Sequence, residues 1–196
     1  MKLLVAATLA AAVCTPTVAQ TPTRWVLVYS GGPKRPAYTV DDLRHLLTVV
    51  DSADRSIGRL CDGVILTEYE ATSGRYYMPW ATGEHAIGAD WDQYLDSLTA
   101  PSGILSRLDS AAAAQVGPVW FTVMVPYPDS VQKAFQYDGT TWDLTVPSNR
   151  ADVVDRHVRR LASRVRALRL PHLEFAGFYW LNESARPADS IGGGRG

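Results

Sequence analysis

The chain has 196 residues, with 19 Lys+Arg against 20 Asp+Glu and a formal net charge of −1. That balance gives no electrostatic reason to expect nucleic acid or an anionic membrane surface as a partner. Hydrophobic residues make up 46% of the chain, enough for a core and too many for disorder throughout. Its two cysteines cannot build a disulfide framework. The length fits one domain and falls short of the roughly 250 residues typical of a closed eight-stranded α/β barrel.

Residues 1–19 read as a secretory signal peptide. Met1-Lys2 is a short basic start, Leu3 to Val13 is an apolar run, and Thr17-Val18-Ala19 resembles a small-residue cleavage site. The run is shorter than the roughly 20 residues that span a bilayer, so no membrane span is expected and the protein is placed in the periplasm or outside the cell. A lipoprotein anchored through Cys14 is the alternative. Cys61 then remains as a lone thiol, expected to act as a small buried apolar residue. The domain is expected over residues 20–184. The Gly-rich tail, residues 185–196, is expected to be disordered.

Four apolar, β-branched or aromatic runs follow one another: Trp25–Ser30, Gly63–Tyr69, Val119–Tyr127 and Glu174–Leu181. Their near-continuous hydrophobicity suits strands of a parallel sheet. Helical patterns lie between them. The first opens at Thr39, a predicted N-cap with Asp42 three residues on, and carries Leu43, Leu46, Leu47 and Val50. The second starts near Asp90 with Trp91, Tyr94, Leu95 and Leu98, breaks at Pro101-Ser102-Gly103, and resumes at Ile104. The third begins after Ser148 and repeats through Val154, Val158, Leu161, Val165 and Leu168. The order β-α-β-α-β-α-β implies right-handed crossovers and a parallel sheet. Long segments follow the strand ends, at Gly31–Ala37, Glu70–Gly88 and Pro128–Pro147, where barrels build their active face. Eight such units would need about twice this length. The fold expected is therefore α/β, a partial (β/α) barrel of about four parallel strands with crossover helices. A small open sheet is the alternative.

The candidate chemistry gathers at strand ends. Gly177-Phe178-Tyr179-Trp180-Leu181-Asn182-Glu183 runs an aromatic strand into an amide and a carboxylate. A strict period of two would put Phe175, Gly177, Tyr179, Leu181 and Glu183 on one face. Aromatic neighbours would desolvate Glu183 and raise its pKa, as a general acid requires. Glu68, near the end of the second run, is the candidate second carboxylate, with a loop-anchoring acceptor as its alternative. Asp62, at the opposite end, is expected to be structural. Tyr29 and Tyr127 could donate into the same mouth, with Asp129 a further candidate. Tyr179, Trp180, Trp80 and Trp142 offer flat apolar faces with polar tips for sugar rings, as do Tyr76 and Tyr77.

Other chemistries lack their patterns. His45, His85, His157 and His172 show no metal-ligand spacing, so no metal or cofactor is expected. There is no Gly-x-Ser-x-Gly elbow and no phosphate-binding glycine motif before a helix. Ser130-Val131-Gln132-Lys133 is a Ser-x-x-Lys match without companion motifs. The arginines of the third helix, Arg156 to Arg169, read as a solvated face complementing the helix C-terminal dipole.

Leu27-Val28-Tyr29-Ser30-Gly31, Asp62-Gly63-Val64 and Gly177-Phe178-Tyr179-Trp180 with a following Glu together resemble a bacterial family, domain of unknown function 4855. The resemblance covers about Trp25 to Glu183 and implies a glycoside-hydrolase-like barrel, of which this would be the N-terminal portion. Asn182-Glu183 at a fourth strand is also similar to the Asn-Glu pair of the large retaining glycosidase clan. That likeness implies an acid/base role for Glu183 and sugar-hydroxyl binding for Asn182. The clan keeps its nucleophile on a seventh strand, which this sequence does not reach. The expectation is an exported protein acting on a polysaccharide or oligosaccharide, with the barrel truncated. Alternatives are a non-catalytic carbohydrate-binding or cell-surface module, or an inactive fragment.

Overall fold

The computed structural model describes residues 22–35, 37–79 and 81–182. The expected signal peptide (residues 1–19), the Gly-rich stretch 185–196, Trp80 and Glu183 lie outside the described residues. Along the chain run β1 (Trp25–Tyr29), α1 (Val40–Leu47), β2 (Thr48–Val50), β3 (Ser56–Arg59), β4 (Gly63–Thr67), α2 (Gly88–Thr99) and α3 (Ile104–Ala112). Then come β5 (Val119–Val125), β6 (Phe135–Tyr137), β7 (Thr140–Trp142), α4 (Pro147–Ala167) and β8 (Leu173–Trp180). Strands β1, β4, β5 and β8 form one parallel sheet in that order. These are the four runs expected from the sequence. The sheet is interleaved with helices and does not close, so the architecture is that of a partial (β/α) barrel.

The two faces of the sheet differ. Register puts Val28, Val64, Leu66, Phe121, Val123 and Val125 on one face, and all six are buried. This face joins the core that includes Leu43 and Leu47 of α1, Leu95 and Leu98 of α2, Leu105 and Leu108 of α3, and Leu161 of α4. The other face carries Trp25, Leu27, Ile65, Trp120 and Thr122. Here Trp25 is 36% and Leu27 38% exposed, while Ile65, Trp120 and Thr122 are half-buried. The Trp25 indole lies across Gly63, where a Cβ would come within 2.5 Å of the ring.

Local chemistry sets the helix ends. Thr39 accepts from the Asp42 N–H at 3.1 Å, and Asp42 accepts from the Thr39 N–H at 2.8 Å, closing the capping box. The break between α2 and α3 falls at Ala100–Gly103, as Pro101 and Gly103 predict. The α4 arginines are less solvated than expected. Arg160 reaches Asp92 of α2 at 2.5 Å and Arg164 pairs with Asp96, so part of the basic stripe ties α4 to α2.

Two antiparallel hairpins, β2–β3 and β6–β7, were not foreseen. In the second, Asp138 and Gly139 have φ of 51° and 72°, the positive pair that a tight two-residue turn requires. Its residues Phe135 and Tyr137 pack edge-on against Trp91 of α2, together with His157 of α4. The Tyr137 hydroxyl and His157 Nδ1 share a hydrogen bond at 2.8 Å, and burial pushes the His157 pKa down to about 3, so this imidazole is neutral.

One expectation about β8 is corrected. The register against β5 slips between Phe121 and Thr122, pairing Phe121 with Phe175 and Thr122 with Gly177. Ala176 is the extra residue of a bulge, and Gly177 has φ of 134°, open to glycine because it carries no Cβ. Phe175 therefore shares the helix-side face with Phe178, and the rings meet at 5.2 Å. Gly177 and Tyr179 fall on the opposite face. The strict alternation Phe175, Gly177, Tyr179 does not hold.

Candidate functional site: the carboxyl-end rim

At the carboxyl end of β1 the chain turns through Gly31 and Gly32. Gly31 has φ of 100° and packs beside Tyr94 and Ser97 of α2. Gly32 lies so close to Glu68 that a Cβ would sit 2.5 Å from its carboxyl carbon. The turn thereby brings Lys34 and Arg35 back over the end of β4.

Glu68 is buried, with its side chain 1% exposed. Its Oε1 accepts from the Tyr69 N–H at 2.8 Å and the Glu70 N–H at 3.4 Å, and its Oε2 accepts from Arg35 Nε at 3.3 Å. The guanidinium also lies 4.7 Å from the centre of the Tyr29 ring. Tyr29 and Tyr69 share a hydrogen bond between hydroxyls, with ring centroids 4.6 Å apart. Lys34 bridges to Glu70 at 3.0 Å. The structure brings the expected candidates Tyr29 and Glu68 together through Arg35, a residue the sequence does not single out. The arrangement matches the loop-anchoring alternative for Glu68, because both carboxylate oxygens already have partners. It offers tyrosine hydroxyls, a partly exposed guanidinium and an exposed ammonium around one rim.

The segment after β4 extends this rim toward β5. The Tyr77 N–H bonds the Tyr69 carbonyl at 2.8 Å, and the Tyr127 N–H bonds the Tyr77 carbonyl at 3.0 Å. Asp90 holds the segment to α2, accepting from Ser73 at 2.7 Å and from the Ile87 N–H at 2.9 Å. Tyr77 donates to the Asp90 carbonyl at 3.0 Å. The hydroxyls of Tyr77 and Tyr94 are buried, which raises both pKa values and keeps the phenols protonated. Asp129, beyond β5, is buried and lies 3.3 Å from His85 Nε2. This cross-loop pair was not foreseen, although Asp129 was a candidate by position.

The other expected residues are spread more widely. Tyr127 and Trp180 meet at the β5–β8 side, ring centroids 6.1 Å apart. Tyr179 pairs in register with Met124 on the face away from the helices. Asn182 follows the end of β8. Trp142 sits in β7, where its indole N–H donates to the Tyr137 carbonyl at 3.4 Å and Arg156 covers its ring at 5.3 Å. That face of Trp142 is occupied and offers no open platform. Among the described residues, no three His, Cys, Asp or Glu side chains are grouped to hold a metal ion. No helix there is long and apolar enough to cross a membrane.

The sequence profile of a domain of unknown function, DUF4855, matches residues 24–191. The chain belongs to the DUF4855 family. No curated protein and no solved structure matches it. The DUF4855 match takes in the whole parallel sheet and both sides of the rim, so the partial barrel is the family's domain in this chain.

Proposed function

We propose that this DUF4855 protein is exported through residues 1–19 and engages a polysaccharide or oligosaccharide across the carboxyl-end rim, with Glu183 as the general acid/base. The observation that carries the reading is the junction of Tyr29, Tyr69, Arg35 and Glu68 at the ends of β1 and β4. Sugar sites combine aromatic faces with a few fixed polar groups, and the carboxyl ends of barrel strands are where such groups act. Tyr127 and Trp180 supply the aromatic surface on the β5–β8 side, with Tyr179, Asn182 and Trp80 as further sugar contacts. Glu183 would protonate the glycosidic oxygen as the bond to the leaving sugar breaks. Hydrolysis also needs a second carboxylate, as nucleophile or as the base that activates water.

Glu68 is a poor candidate for that second carboxylate, since its oxygens are committed to Arg35 and two backbone N–H groups. The same observation favours a second reading, a carbohydrate-binding module whose rim recognises sugar without cleaving it. Glu183→Gln separates the two. If the protein is an acid/base enzyme, release of reducing ends from a polysaccharide panel falls by about a hundredfold or more while glycan binding persists. Binding without hydrolysis in the unmodified protein selects the module. Hydrolysis unchanged in Glu183→Gln overturns the acid/base assignment.

A further inference from the structure

Two ion pairs at the turn after β1 share one orientation. The side chains of Lys34 and its partner Glu70 are 75% and 18% exposed, and those of Arg35 and its partner Glu68 are 35% and 1% exposed. In each pair the cation stands outward and the carboxylate inward. The formal charges cancel, yet an approaching ligand meets the positive ends first. Burying a carboxylate is costly unless it is paired, and here the buried Glu68 holds a guanidinium at the surface.

Arg35 is held on two sides and open on a third. Its Nε donates to Glu68 Oε2 at 3.3 Å, and its guanidinium lies 4.7 Å from the centre of the Tyr29 ring. Its backbone N–H closes the turn on the Gly32 carbonyl at 3.2 Å, and Gly32 is the position where a Cβ would strike the Glu68 carboxyl group. Among the described residues the Nη groups have no partner, because Nε alone meets Glu68. A planar fork fixed at its root and free at its tips matches two oxygens of one carboxylate or sulfate. Beside it, Tyr29 and Tyr69 share one hydrogen bond between two hydroxyls, which leaves one O–H proton to give. The fork suits an anionic group, and the phenols suit the hydroxyls of a ring that carries one.

Granted that the rim is the sugar-binding surface, we propose that the sugar it selects is acidic, with Arg35 gripping the carboxylate or sulfate group at two points. Glu68 and the Tyr29 ring hold the guanidinium in place before the ligand arrives, so little ordering remains to be done on binding. Lys34 adds a second outward charge one residue away. A neutral glycan brings hydroxyls for the tyrosines and no partner for the fork.

The test is calorimetric titration of the purified full chain with a panel of polyuronates and sulfated glycans, each beside its carboxyl-reduced or desulfated form. The acidic member of a pair should bind at least about tenfold more tightly than its neutral form. A preference confined to the polyuronates assigns the carboxylate, and one confined to the sulfated glycans assigns the sulfate. Arg35→Lys keeps the charge and loses the fork, so most of that preference should disappear. Arg35→Gln combined with Glu68→Gln leaves no stranded buried charge and should abolish the preference with the circular dichroism spectrum unchanged. Arg159→Gln removes an exposed cation of α4 and should leave the preference intact. Equal affinity for acidic and neutral forms overturns the acidic selection and leaves the rim a neutral-sugar surface. So does a preference that survives both Arg35 variants. Failure to bind any member of the panel, acidic or neutral, overturns the rim as a sugar surface and the selection with it.

Discussion

The two ends of the parallel sheet each bury a carboxylate against an arginine, and they do so in different ways. At the amino end, Asp62 Oδ2 accepts from the Thr23 N–H at 3.2 Å, the Thr23 hydroxyl at 3.1 Å and the Arg24 N–H at 3.1 Å, while Oδ1 meets Arg24 Nη2 at 3.0 Å. These donors hold the Asp62 carboxyl far below the usual carboxylate range. Arg59 adds hydrogen bonds to the carbonyls of Cys61, Asp62, Val116 and Pro118, stapling the starts of β4 and β5. At the carboxyl end, Glu68 relies on one guanidinium from a glycine turn and on its own chain. The amino end is built for rigidity at the strand starts. The carboxyl end hangs its polar groups on connecting segments, the usual division between scaffold and site.

Substitutions at the two ends should separate stability from sugar engagement. Asp62→Ala strands several donors and should cost about 2–4 kcal/mol in urea unfolding, with glycan binding per folded molecule unchanged. Loss of binding by the folded fraction would break the contrast. Gly32→Ala forces a Cβ against the Glu68 carboxyl group and should cost about 1–3 kcal/mol, together with weaker glycan binding. A thermal shift without any binding change would make the rim another piece of scaffold.

Acid titration probes the base of the carboxyl-end segment. Folded His157 stays neutral down to pH about 3, below the ordinary histidine value of 6.5. The unfolded chain therefore binds a proton that the folded one refuses, and stability is full above pH about 6.5 and declines as pH falls toward 3. The loss should reach about 2 kcal/mol by pH 5, and His157→Gln should flatten it. An unchanged slope in that variant would assign the acid limb elsewhere. Asp62 acts in a lower window, its contribution being full above the ordinary carboxylate pKa and lost as pH drops through the depressed one.

Smaller effects sharpen the picture at the rim. Glu68→Gln keeps an acceptor for the Tyr69 N–H and loses the charge facing Arg35, so it should cost about 1 kcal/mol and loosen the turn that carries Arg35. A loss of hydrolysis far beyond the loss of binding would restore a catalytic role to Glu68. Lys34→Ala removes an exposed ion pair with Glu70 and should leave the melting temperature unchanged. A change in glycan affinity alone would put the ammonium in the sugar's path.

The parts of this molecule legible in the sequence are those decided by neighbours along the chain. Thr39 and Asp42 cap α1 from three residues apart, and Pro101 with Gly103 interrupts the helical run on the spot. The four strands announce themselves by unbroken apolar character. The β2–β3 hairpin escaped because its strands have three and four residues, too few for periodicity to register. The β6–β7 hairpin does carry a local signal, Asp138-Gly139, set inside the long segment that follows β5. At the rim, Tyr29 and Glu68 were found as residues at strand ends. Arg35 was not, because its partner stands 33 positions away. For Trp142, an aromatic between two elements says nothing about the arginine that lies over its ring.

The bulge at Ala176 gives a single ribbon two addresses. Phe175 and Phe178 are sent to the helical mantle and Tyr179 to the lumen, a distribution no even alternation could deliver. Deleting that supernumerary residue would leave composition almost untouched, yet it would transpose mantle and lumen for every ring from Phe178 to Trp180.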